Sequence, residues 1–141
     1  MVDASVAIKL FVQETDSGKT RLLFDRLTDP EPIQLFAPQL LYVECANTLW
    51  KYCQFFNYSE SIAEQNLLDL RDLRLHIVPD KELFTEAFKL ALKYEITVYD
   101  AVYLQLARLV GCNLVTADEK LARKLDKSVA YLVSLRQLKL A

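Results

Sequence analysis

Short apolar runs alternate along this chain with longer segments in which apolar residues recur every three or four positions. Residues 1–3 read as the stub of a buried strand, followed by helical spacing over 5–11 and 17–27, where Thr15, Asp16 or Ser17 can cap. A second strand is predicted over 33–37. Helices follow over 38–56 and 59–73 as an antiparallel pair, the second opened by Ser59 and Ser61 with Glu64 behind them. Residues 73–78 alternate as a short strand, Asp80 is expected to cap a helix running to Tyr94, and 99–110 form a helix closed by Gly111 in the left-handed conformation. A buried strand over 112–116, a helix over 118–125 and a last strand over 129–133 complete the pattern. Strands alternating with helices predict an α/β fold of three layers, a central and mostly parallel sheet with helices on both faces. In such sheets the functional crevice lies beyond the carboxyl ends of the strands.

Four carboxylates break this apolar pattern. Asp3, Asp100 and Asp118 stand where hydrophobic runs give way to helices, and Glu44 interrupts the helical segment Leu40-Leu41-Tyr42-Val43-Glu44-Cys45-Ala46. A single Asp at a helix start is most simply a cap, accepting free backbone N–H groups. Glu44 escapes that reading because it lies inside its helix, and no basic residue occurs between Arg26 and Lys51 to neutralise it locally. The helix holding Asp100 is apolar on nearly every side, which predicts that it is buried with its acid. Asp3 and Asp118 each follow a strand directly, so all four acids can converge on the carboxyl edge. Clustered carboxylates must bind cations or retain protons, since two of them about 4 Å apart repel by roughly 4 kcal/mol at an effective dielectric near 20. An all-oxygen donor set suits magnesium or manganese. The only histidine, His76, sits in an alternating segment and reads as a strand residue.

Composition changes this picture in few places. The 141 residues fit one domain over 1–141, with 52% hydrophobic residues to form its core. The longest uncharged run, residues 32–43, is too short to span a bilayer, and the N-terminus lacks a basic segment followed by an apolar signal core; a soluble, cytoplasmic protein is expected. Three cysteines without C-x-x-C spacing read as reduced core residues. The net charge of −2 is unevenly spread: residues 1–107 carry 10 basic against 16 acidic side chains, and 108–141 carry 7 against 3. A basic stretch of that kind is either a solvated helix face or the wall of a phosphate path.

Four motifs, Val2-Asp3-Ala4-Ser5-Val6-Ala7, Val43-Glu44-Cys45-Ala46-Asn47-Thr48-Leu49-Trp50, Thr97-Val98-Tyr99-Asp100-Ala101-Val102-Tyr103 and Thr116-Ala117-Asp118-Glu119-Lys120-Leu121, resemble in order and spacing those of PIN-domain ribonucleases of the VapC toxin type. The resemblance implies that Asp3, Glu44, Asp100 and Asp118 are catalytic residues holding one or two Mg2+ or Mn2+ ions. Ser5, Asn47 and Thr116 match polar positions beside them. It further implies an endoribonuclease acting on RNA, a homodimer, and a small antitoxin protein seated in a groove near the acids. Where the family carries several apolar residues before its first Asp, this chain supplies Met1 and Val2, so either the strand is short or the natural start lies upstream. A solitary nuclease and a non-catalytic PIN-fold binding module are the alternatives. Receiver and aspartate-phosphatase folds are disfavoured, since Asp3-Ala4-Ser5 replaces the paired acids or D-x-D that they require.

Overall fold

A computed structural model describes residues 1–140. Eleven named elements follow one another: α1 (Ala4–Ala7), α2 (Ser17–Asp25), β1 (Leu35–Pro38), α3 (Leu40–Phe55), α4 (Glu60–Asp72), β2 (Leu75–Val78), α5 (Phe84–Tyr94), α6 (Val98–Val110), β3 (Leu114–Thr116), α7 (Glu119–Leu125) and β4 (Leu132–Ser134). Short 3-10 turns extend α1, α2 and β4 and precede α5. The expected alternation of strands and helices is therefore present, and every registered strand pair is parallel. The pairing is divided, however. β1 pairs with β2, β3 pairs with β4, and the N-terminal stub joins β3 through the single bridge Val2–Val115. Asp3 N–H donates to Val115 O at 3.3 Å and Val115 N–H to Met1 O at 2.9 Å, which fixes Asp3 beside the end of β3.

One core runs through the molecule, built from Val2, Val6 and Ala7, Leu41, Cys45 and Leu49 of α3, the inner face of α6, and Leu114 and Val115 of β3. Helix α6 packs against α5 and against both β1 and β3, so it ties the two strand pairs together. Its ends follow local chemistry. Thr97, in extended conformation, accepts from Asp100 N–H, and Gly111 at φ 75° closes the last turn with its N–H on Ala107 O. That positive φ strains any side-chain-bearing residue, which is why glycine stands there.

Two sequence expectations need correction. Asp80 does not cap α5; its Oδ1 accepts from Leu40 N–H at 3.1 Å and so serves the start of α3, a partner 40 residues away. Helix α6 is not buried on all sides, because Val98, Tyr99 and Leu109 are exposed and Asp100 is only half-buried. Apolar side chains outnumber the space inside so small a domain, and the surplus lies on the outer face.

Candidate metal centre

Four separate elements deliver one acid each to a single cavity of about 580 Å3. Asp3 comes from the stub before α1, Glu44 from the second turn of α3, Asp100 from the first turn of α6, and Asp118 from the residue preceding α7. Ser5, Asn47, Thr48, Tyr99 and Tyr103 complete much of its wall. The convergence expected from the chain is thus present as geometry. Thr116 lies behind the wall, fully buried.

Asp3 and Asp118 are also caps. Asp3 Oδ1 accepts from Val6 N–H at 3.1 Å and Asp118 Oδ1 from Leu121 N–H at 3.0 Å, which leaves each carboxylate a second oxygen. Asp100 is not a cap, since Thr97 fills that place. A short polar chain joins two of the acids. The Ser5 hydroxyl donates to Asp3 Oδ1 at 2.5 Å and accepts from Ala117 N–H at 2.9 Å, and Thr116 Oγ1, 3.4 Å from Ser5 Oγ, accepts from Asp118 N–H at 3.1 Å. These hydroxyls hold the N-terminal stub and the end of β3 in one register. Asn47 stands on the cavity wall one turn from Glu44, exposed.

The electrostatics are unbalanced. Among the described residues none of the four acids forms a salt bridge. Burial pushes the Asp3 carboxyl up to about 6 against the opposing hydrogen bonds from Ser5, Thr116 and Val6, and the charge of Asp100 adds to the rise. Burial likewise raises Glu44 to about 7, with Asp3, Asp100 and Asp80 adding repulsion. Asp100 is raised by burial and by Asp118. The Cys45 thiol beneath them is pushed up to about 12 by burial and by Glu44, which keeps it protonated and inert. A carboxylate set left without cations in a concave site has the chemistry of a divalent-metal seat. Among the described residues no group of three or more His, Cys, Asp or Glu side chains stands close enough together to hold an ion as placed. By donor chemistry alone, four carboxylates on one cavity suit an ion that keeps several waters, as magnesium does.

A family model for the PIN domain matches residues 1–127. The chain belongs to the PIN-domain family. It is 34% identical over 128 residues to "Ribonuclease VapC3" of Pyrobaculum aerophilum, a match spanning 88% of this chain and 92% of that protein. The crystal structure of PAE2754 from Pyrobaculum aerophilum shares the fold at a TM-score of 0.68 and 24% identity, covering 96% of this chain and 82% of that one.

Within this PIN domain the residue that sequence reasoning missed is Tyr103. It is buried, lies one turn beyond Asp100 on the same face of α6, and its hydroxyl donates to Glu44 Oε2 at 3.2 Å. The signal was available in the spacing from Asp100, but an aromatic residue in an apolar helix reads first as core. Burial and the neighbouring acids hold the Tyr103 hydroxyl far above the usual tyrosine range, so it acts only as a donor. Tyr103→Phe keeps the ring and removes that donor. We expect the Glu44 carboxyl to move up by about one further pH unit, read by NMR titration of its side-chain carbon. An unchanged midpoint would show that the hydroxyl does not govern Glu44.

Proposed function

We propose that this PIN domain is a metal-dependent endoribonuclease that hydrolyses RNA phosphodiester bonds, and that it serves as the toxin of a toxin–antitoxin pair. The observation that carries the reading is the cavity shared by Asp3, Glu44, Asp100 and Asp118, with no basic side chain among the described residues paired to any of them. The relative at 34% identity is a ribonuclease by name, which points the same way. Asp100 and Asp3 are assigned as the principal ligands of Mg2+ or Mn2+, with Asp118 and Glu44 completing the set. Such an ion would supply positive charge to the phosphoryl oxygens and lower the pKa of the attacking water. Glu44 also has a role of its own. Steadied by the Tyr103 hydroxyl, it is poised to orient that water and take its proton. Ser5 and Thr116 position Asp3 and Asp118, while Asn47 offers its amide at the mouth.

Glu119, adjacent to Asp118, is the natural competitor for its role. Its Oε1 accepts from the Ser134 hydroxyl, which turns it toward β4 and away from the cavity. Glu119→Gln should therefore leave RNA cleavage within about threefold of wild type, whereas Asp118→Asn should lower it by roughly 100-fold or more, at or beyond the upper end of what loss of a merely orienting group costs. A far larger loss in Glu119→Gln than in Asp118→Asn, in steady-state cleavage assays, would exchange the two assignments.

The partner surfaces fit the same reading. Helix α5 leaves Phe84, Phe88 and Leu92 exposed at four-residue spacing, a stripe suited to a homodimer contact. Between α3 and α4 an apolar groove lined by Tyr42, Val43, Ala46, Leu67 and Leu70 meets the acid cavity at Val43, and we assign it to an antitoxin segment. Among the described residues no helix is long and apolar enough to cross a membrane, in keeping with a cytoplasmic place of action. Incubation of the purified protein with a mixed RNA pool tests the activity: fragments with Mg2+ or Mn2+ and intact RNA under chelator support it. Intact RNA under every condition would favour the alternative of a non-catalytic PIN-fold module. Active enzyme whose expression does not arrest growth would favour a solitary nuclease.

A further inference from the structure

A second cavity, of about 280 Å3, opens beside the first, and Asp100 and Asp118 belong to the walls of both. Its remaining polar lining is Glu95, Thr97, Lys120 and Lys124. The two lysines lie at i and i+4 on α7, so they share one face with their Cβ atoms about 5–6 Å apart. Neither forms a salt bridge among the described residues, although the acids of the shared wall are close at hand. The Lys124 ammonium is held in place, donating to the carbonyl of Glu95, which sits in the left-handed conformation at the end of α5. The other two cations of the helix region, Arg123 and Lys127, do not line this cavity. The basic surplus over residues 108–141 thus includes two charges aimed at the rim of the acid site.

We propose that Lys120 and Lys124 each contact one of two successive backbone phosphates of single-stranded RNA, next to the phosphate among the four acids. This subsite rests on the nuclease reading and deepens it. An RNA strand entering an acidic cavity is repelled there until a cation is present. A pair of ammonium groups one step along the strand offsets that repulsion and sets the register of the scissile bond. Contacts of this kind carry no base preference, so the subsite contributes affinity and position without sequence choice. Lysine suits this position as a compact point charge.

The experiment uses Asp100→Asn, which halts cleavage and removes one of the repelling charges, and measures its binding to a labelled mixed-sequence RNA oligonucleotide over a series of salt concentrations. Adding Lys120→Ala and Lys124→Ala should reduce the magnitude of the slope of log affinity against log salt by about 1.4, two single-strand phosphate contacts' worth. At 0.1 M salt the binding deficit should be roughly 25-fold, vanishing near 1 M. The pair Lys120→Arg and Lys124→Arg should retain the slope, and Lys120→Ala alone should lower it by about 0.7, which keeps the test open if the double alanine variant fails to fold. An unchanged slope in the alanine variants overturns the subsite while wild-type cleavage leaves the nuclease reading standing. Wild type that cuts no RNA, with Asp100→Asn that binds none, overturns both.

Discussion

Asp100→Asn is expected to reduce RNA cleavage by roughly a thousandfold or more, beyond the 10–100-fold typical of groups that only orient a ligand. The substitution is nearly isosteric, and the helix start does not depend on the side chain, because Thr97 provides the cap. Far-UV circular dichroism should therefore be unchanged. Removing the charge also relieves Asp3 and Glu44, both of which Asp100 pushes toward protonation. In chelator the variant should consequently melt at or above the wild-type temperature while being the less active enzyme. Undiminished cleavage, or a collapse of stability that explains the lost activity, would remove Asp100 from the centre of the site.

The second large effect concerns stability against pH in the absence of metal. Asp3 titrates near 6 in the folded protein and Glu44 near 7, both above their ordinary values of 3.8 and 4.5. Each carboxyl therefore holds its proton more tightly folded than unfolded. That contribution is complete below about pH 4 and is lost as pH rises through 6 and 7. For the fully buried Asp3 the loss is roughly 3 kcal/mol, and Glu44 adds less because solvent screens its half-exposed side chain. Metal binding reverses the trend, since a divalent ion replaces the protons and requires the ionised acids. At 100 times its Kd it would add about 2.7 kcal/mol, a rise in Tm of roughly 10 °C for a domain of this size. Thermal melts should show a large shift with Mg2+ at pH 7.5 and a small one at pH 5. A shift independent of pH, or none at all, would contradict a carboxylate-built site.

Much of this was legible in the chain because it rests on local rules. Gly111, Ser59 and the three-to-four residue spacing of α3, α4 and α6 mark elements whose chemistry is contained within one or two turns. Asp3 and Asp118 were placed by the strand preceding each, which needs no knowledge of distant partners. What escaped depended on long-range contacts. Asp80 finds Leu40 across 40 residues, Ser5 finds Ala117 across 112, and Tyr103 finds Glu44 across 59. None of these pairings has a local periodicity to announce it. The outward surplus of apolar residues on α5 and α6 was hidden for a different reason: an apolar residue in a helix reads as core whether or not its face is turned inward. Lys120 and Lys124 could be counted as charge but not aimed, because only the neighbouring turn at Glu95 and Thr97 gives them a cavity to face.

A manganese titration followed at once by calorimetry and by cleavage of a mixed RNA pool tests the central claim most directly, with wild type and Asp100→Asn side by side. The four-acid site predicts that binding and cleavage saturate together in wild type, that chelator abolishes both, and that both fail in the variant. Cleavage that persists in chelator, or that survives in Asp100→Asn at the wild-type rate, would contradict it.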